Sequence, residues 1–204
     1  QRHLTIPCEM CIRDSYYTYD VTDRLRLICL DFYEYSALGY DADDPIYQSA
    51  ITLLKSHNKN ENLNQINGLR GHSQRYTLFN GAPSDEQMDW LRGELEKCKV
   101  ENRKAIVCGH LPIHPQAAAN MNLAWNMKEM LDLIGSYERT VVAYFAGHDH
   151  IGGYFRDKNN IHHITFAAIL ETPSNSNAYA TVKVYENKIL VEGVGVIEYY
   201  EIFY

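Results

Sequence analysis

Two short apolar runs constrain this chain more than anything else in it. Lys104–Cys108 (KAIVC) and Val141–Ala146 (VVAYFA) each end in a glycine followed at once by a histidine. The first continues Gly109-His110-Leu111-Pro112, the second Gly147-His148-Asp149-His150. Short apolar runs bounded by turn residues read as buried strands. Between and around them lie segments with helical periodicity. Strand-type and helix-type segments in alternation predict an α/β fold of mixed sheets covered by helices.

Arg24–Phe32 (RLRLICLDF) alternates polar and apolar residues and then turns mostly apolar, as a core strand does. Pro45–His57 has a proline in its first turn, apolar residues at Ile46, Ala50, Ile51 and Leu54, and Asp43 or Asp44 as its cap. A polar stretch follows from Asn58 to Arg75; seven Asn or Gln between 58 and 74, with Gly68 and Gly71, predict an exposed loop. Ser84 and Gln87 form a capping box, with Asp85 and Glu86 in the first turn. Met88, Leu91, Leu95 and Cys98 then mark one helix face, and Asn126–Tyr137 repeats the pattern with Met127, Met130, Leu131 and Ile134. The tail changes character. Ile164–Leu170, Ala178–Tyr185 and Ile189–Val196 read as strands, with a hairpin turn at Glu186-Asn187-Lys188. The aromatic end, Tyr199 to Tyr204, is expected to pack rather than hang free. No linker or repeat divides the 204 residues, so they are read as one piece of a single domain.

Composition excludes several functions. Twenty-four aromatics (16 Tyr, 6 Phe, 2 Trp) supply ample apolar surface, which rules out disorder. A net charge of -7 leaves no basic field for a nucleic-acid backbone. The longest apolar run, Val141–Ala146, falls far short of the ~18 residues a membrane helix needs, and Gln1-Arg2-His3 leads into no signal-peptide core. The five cysteines do not suggest a disulfide framework. Cys29 and Cys108 read as small buried hydrophobes, Cys98 lies on a helix, and Cys8-x-x-Cys11 is a lone pair that cannot complete a zinc site. The expectation is a reduced, cytoplasmic protein without nucleic-acid or membrane partners.

Open α/β sheets bind ligands just beyond the carboxyl ends of their strands. Gly109 and Gly147 there allow sharp turns and close approach of backbone, and the imidazoles that follow are presented at the sheet rim, ready to ligate a metal. His148-x-His150 alone is weak, since nine His give about 0.4 such spacings per chain by chance. Strand-Gly-His at two strand ends is the stronger signal. Phosphate chemistry on Mn²⁺ or Mg²⁺ also needs carboxylates. No Asp or Glu shares the strand-end placement: Asp31 is the nearest candidate, and Asp149 would point away from whatever its two neighbours share. No G-x-S-x-G elbow, phosphate loop or dinucleotide fingerprint occurs.

Gly-His-x-Pro (109–112) followed by Gly-His-x-His (147–150) resembles the last two motifs of the calcineurin-like metallophosphoesterases. The segments YDADDPIY (Tyr40–Tyr47), FNGA (Phe79–Ala82), SDEQMDWL (Ser84–Leu91), HLPIHP (His110–Pro115), LAWN (Leu123–Asn126), FAGHDHIGGY (Phe145–Tyr154) and ILETPSNSNAYATVKVY (Ile169–Tyr185) resemble, in order, the manganese-dependent ADP-ribose/CDP-alcohol diphosphatases. The likeness runs from about Tyr16 to the tail.

The resemblance implies a mixed β-sandwich flanked by helices and two divalent cations, manganese before magnesium. His110 and His148 would bind one cation and His150 the other. It implies cleavage of a nucleotide diphosphate linked to a sugar or alcohol, with Phe79, Asn80, Trp125 and Asn126 near the substrate, and a monomeric parent protein. The family's earlier motifs, which carry the bridging Asp and a histidine acting as general acid, are not found. The chain therefore resembles a C-terminal portion, and the isolated 204 residues are expected to lack the metal pair and be inactive. Of the other histidines, His114 is expected beside the site, His162 and His163 in a strand and not ligating, and His57 and His72 at the surface. Gly152-Gly153-Tyr154 is expected to turn the chain so that His150 points inward.

Overall fold

A computed structural model describes residues 2–4 and 16–204. In chain order the strands begin with β1 (Arg2–Leu4), β2 (Tyr17–Thr22), β3 (Leu25–Cys29) and β4 (Tyr35–Ser36). Helix α1 (Pro45–His57), β5 (Gly81–Ala82), α2 (Asp85–Val100), β6 (Lys104–Cys108), α3 (Met127–Gly135) and β7 (Val141–Ala146) follow. The chain ends with β8 (Gly153–Arg156), β9 (His162–Thr165), β10 (Ala178–Val184), β11 (Lys188–Gly195) and β12 (Tyr200–Phe203). Cys8 and Cys11 lie outside the described residues.

The central sheet has six strands in the order β2-β3-β6-β7-β9-β8. Strands β3, β6, β7 and β9 are parallel, with antiparallel β2 and β8 at the edges. A four-stranded antiparallel sheet, β1-β10-β11-β12, packs on one face. Alternation decides which side chains go where. Leu25, Leu27, Cys29, Ile106, Cys108 and Phe145 meet Val182, Val184, Ile189, Val191 and Ile202 of the second sheet. Ile28, Ala105, Val107 and Tyr144 point the other way, onto Leu91, Leu95 and Cys98 of α2 and Met130, Leu133 and Ile134 of α3. Val142 and Ala143 both face the second sheet because the register slips there: Ala105 pairs with Val141, and Ile106 with Ala143. The layers are thus helices, a mixed sheet and an antiparallel sheet, as the resemblance implied. Both faces of the central sheet are covered from within this chain.

Local expectations hold with three corrections. Asp44 is the cap of α1, its Oδ1 accepting from the Ile46 N–H at 2.7 Å. Ser84 Oγ likewise accepts from the Gln87 N–H at 3.1 Å, but the capping box is only half made. Gln87 turns away and bridges to Asp31, accepting from its N–H and donating to its carbonyl, both at 2.9 Å. The predicted strand Ile164–Leu170 is a shorter β9 that leads into a 3₁₀ turn at Ile169–Glu171. The polar stretch from Asn58 is organised from within. Asn58 is buried, and its Nδ2 donates to the carbonyls of Leu63 at 3.2 Å, Gln65 at 3.0 Å and Tyr76 at 2.9 Å. In the tail, Ile202 is fully buried while Tyr199 and Phe203 are exposed. Among the described residues, no helix is long and apolar enough to cross a membrane.

Candidate functional site

The two strand-Gly-His turns lie side by side because β6 and β7 are parallel neighbours. Gly109 N–H donates to Phe145 O at 3.1 Å, and Gly147 N–H to His110 O at 3.0 Å, so the turns are tied together. His110 Nε2 stands 3.1 Å from His148 Nδ1. The backbone of His148 is left-handed, with φ 63°, and Asp149 N–H reaches back over it to Gly147 O at 2.7 Å. This is a γ-turn of the strained kind. A non-glycine residue held there costs about 1–3 kcal/mol, and such strain concentrates at functional sites.

The surroundings of the pair are aromatic on one side and polar on the other. Tyr33 lies beside His110 with ring centroids 5.8 Å apart, and Phe79 beside His148 at 5.7 Å. Tyr33 Oη donates to Phe79 O at 3.2 Å and so links the two flanks. His148 Nε2 is 2.9 Å from Asn80 Oδ1. Burial pushes both imidazoles toward the neutral form: His110 is lowered, and His148, with His110 and His150 adding repulsion, falls to about 4. Neutral imidazoles carry a free lone pair, which is the state a metal ligand needs.

The remaining predicted residues divide. His150 is 44% exposed and its Nδ1 is 3.5 Å from Glu171 Oε1, so it stands at the rim and does not close on the other two. Asp149 points away as expected: it is buried and accepts from Ala119 N–H at 2.5 Å and Ile151 N–H at 3.3 Å. Asp31 caps its own turn through the Tyr33 N–H at 2.8 Å. Phe79 is half-buried at the pair. Asn80 is fully buried. Trp125 is buried too, in a small cluster under α1, with its indole N–H aimed at Thr77 O at 3.3 Å. In this conformation neither offers a surface to a ligand. Asn126 precedes α3 without capping it, and its Oδ1 is buried with no hydrogen-bond partner. His114 stacks on Phe155 at 4.5 Å and lies 4.6 Å from His163; burial lowers it to about 4. His162 and His163 are both buried in β9, one ring on each face of the sheet: His162 pairs with Ala143 and His163 with Tyr144. His57 and His72 are both exposed as expected, and His57 stacks flat on Tyr76 at 3.8 Å. Sequence reasoning missed Tyr33, and no local signal marks it, because its partners are distant in the chain.

The donor set can be tested against a divalent cation. Two neutral imidazoles with facing nitrogens fit one as ligands. Among the described residues, no group of three or more His, Cys, Asp or Glu stands close enough to hold an ion. The fit is therefore to the nitrogen side of a site, without its carboxylates.

No protein-family model matches the chain. It is 38% identical over 193 residues to the manganese-dependent ADP-ribose/CDP-alcohol diphosphatase of Xenopus tropicalis, covering 94% of this chain and 56% of that protein. The human protein of the same name is 38% identical over 184 residues, covering 89% of this chain and 53% of its own length. The crystal structure of a dimetal phosphatase from Danio rerio superposes with a TM-score of 0.88 at 33% identity, covering 92% of this chain and 60% of that one. The chain thus spans about half the length of the curated relatives it matches. Over nearly all of its own length it is similar to the manganese-dependent ADP-ribose/CDP-alcohol diphosphatases, with a fold like that of a dimetal phosphatase.

Proposed function

We propose that this chain forms part of a single metallophosphoesterase domain and supplies the imidazole side of a dinuclear, manganese-preferring site. The substrates are ADP-ribose or CDP-alcohols, cleaved to a nucleoside monophosphate and a phosphorylated sugar or alcohol. The observation that carries this reading is the His110–His148 pair, 3.1 Å apart at the ends of two parallel strands and neutral by burial. Bound cations at such a site polarise the phosphoryl oxygens and lower the pKa of a water nucleophile. The chain's own residues do the rest. His110 and His148 present facing ring nitrogens in a fixed geometry, and His150 at the rim offers a third imidazole. Tyr33 and Phe79 wall the pair on its apolar side, where a nucleotide base or ribose can lie. Asn126, whose Oδ1 is buried and unpartnered in this conformation, is assigned to the substrate side with Phe79.

The test is hydrolysis of ADP-ribose and CDP-choline with Mn²⁺ by the protein that contains this chain. His110→Ala and His148→Ala are each expected to abolish turnover. Full activity in either variant refutes the assignment. The isolated 204 residues are expected to show no turnover, because their described residues offer no carboxylate to the pair. The same observation favours a second reading, a binding module without catalysis. Nucleotide binding without turnover by the longest natural form of the protein would select it.

A further inference from the structure

Asn80 does more than fill space. Its side chain sits where three chain segments meet, around Arg75–Asn80, Met121 and His148. Nδ2 lies 2.8 Å from Arg75 O, 3.0 Å from Thr77 Oγ1 and 2.7 Å from Met121 O. Two of these partners are carbonyl oxygens, which only accept. The amide therefore cannot be flipped, and the atom facing His148 must be Oδ1. That oxygen is itself only an acceptor. His148 Nε2 must then carry the hydrogen, and in the neutral ring Nδ1 is left with the lone pair.

We propose that Asn80 is a positioning residue that holds His148 in its Nε2–H tautomer and so makes Nδ1 the atom offered to a metal. The consequence extends to His110. Its Nε2 faces that lone pair at 3.1 Å, so in the metal-free chain it is the donor of that contact, and its proton sits on Nε2. The two rings thus share the Nε2–H tautomer in the metal-free chain, and the choice is set from behind by one buried amide. The arrangement is that of an outer partner fixing a ligating imidazole. The Asn80 carbonyl stands where a carboxylate is often found, and it adds no charge to the site.

The assignment rests on the metal-site reading only for its purpose; the tautomer itself can be measured without metal. The experiment is long-range ¹H–¹⁵N correlation of the imidazoles in the ¹⁵N-labelled chain above pH 7. The expected result is a protonated-type shift at Nε2 and an unprotonated-type shift at Nδ1 for His148. A protonated Nδ1 on His148 overturns the proposal. Mn²⁺ titration by paramagnetic broadening follows, on the protein that contains this chain, as wild type, Asn80→Ala and Thr77→Val. Thr77→Val removes one partner of Nδ2 and leaves Oδ1 in place. Asn80→Ala should lose the single tautomer and bind Mn²⁺ about 10–100-fold more weakly, with Thr77→Val close to wild type. Equal affinity in Asn80→Ala and wild type overturns the positioning role. If Asn80→Ala does not fold, the wild-type tautomer still decides. No Mn²⁺ binding by any form, with His148 in the expected tautomer, counts against the metal-site reading and leaves the tautomer assignment standing.

Discussion

The two glycines before the histidines look equivalent in sequence, yet the structure makes them opposite. A Cβ on Gly109 would lie 2.3 Å from Phe32 Cε2 and 2.6 Å from Phe32 Cδ2. Carbon atoms pack at about 3.5–4.0 Å, so the conflict exceeds about 1 Å. Phe32 cannot swing clear: it is 1% exposed and lies edge-on to Tyr144 at 6.5 Å. Tyr144 is held in turn by its hydroxyl, which donates to Leu111 O at 2.7 Å. Overpacking of this kind costs about 1–3 kcal/mol. A Cβ on Gly147 meets nothing nearer than His110, at 4.0 Å. The backbone there is not left-handed, so Gly147→Ala should stabilise by about 0.4–1 kcal/mol through the unfolded chain.

The two variants should therefore differ by about 2 kcal/mol or more in urea unfolding at equal m. A third variant isolates the cause. Phe32→Ala alone loses about 3–5 kcal/mol, but in that background adding Gly109→Ala should cost almost nothing further, because the clashing ring is gone. If Gly109→Ala and Gly147→Ala unfold within about 0.5 kcal/mol of each other, or if the Gly109 penalty persists without Phe32, close approach is not what the first glycine provides.

Three further outcomes follow from contacts in the structure. His148→Gly should be more stable than His148→Ala by about 1 kcal/mol in thermal or urea unfolding, since only glycine adopts φ 63° freely. Glu94 is 9% exposed and bridges Arg26 at 3.0 Å and Lys97 at 2.5 Å, so Glu94→Ala should cost about 3 kcal/mol; Asp20→Asn, on the exposed side of Arg26, should cost no more than about 1 kcal/mol. His162 is lowered to about 4, first by burial and then by Arg156 and His163, while the unfolded ring titrates near 6.5. The unfolded chain thus takes up the proton first. The stability tied to His162 is complete above pH 6.5 and is lost as pH falls from there toward 4. His162→Phe should flatten the pH dependence of the urea midpoint across that window, and an unchanged slope would refute the assignment.

Much of the fold was legible because its signals are local. Asp44 and Ser84 cap where their side chains can reach the next turn, and KAIVC and VVAYFA are too short and too apolar to be anything but buried strands. The site was legible only in part, for a physical reason. Strand-Gly-His marks where an imidazole leaves the sheet, and the parallel pairing of β6 with β7 then brings His110 and His148 together. What sets their chemistry is not local. Asn80 reaches His148 across 68 positions, and Tyr33 contacts Phe79 across 46. Phe79-Asn80 could be read from the sequence as a pocket lining, but not as one residue facing the pair and the next buried behind it. That division follows from the Nδ2 contacts to Arg75 O and Met121 O, which pin Asn80 inward while Phe79 stays at the rim. Asn80→Asp should therefore fail in a way that a pocket lining would not. The carboxylate would place oxygen against two carbonyls, losing the hydrogen bonds that Nδ2 makes, and should destabilise the chain by more than about 2 kcal/mol. A pocket-lining Asn at the surface would tolerate the change within about 0.5 kcal/mol, so urea unfolding of this single variant separates the two placements.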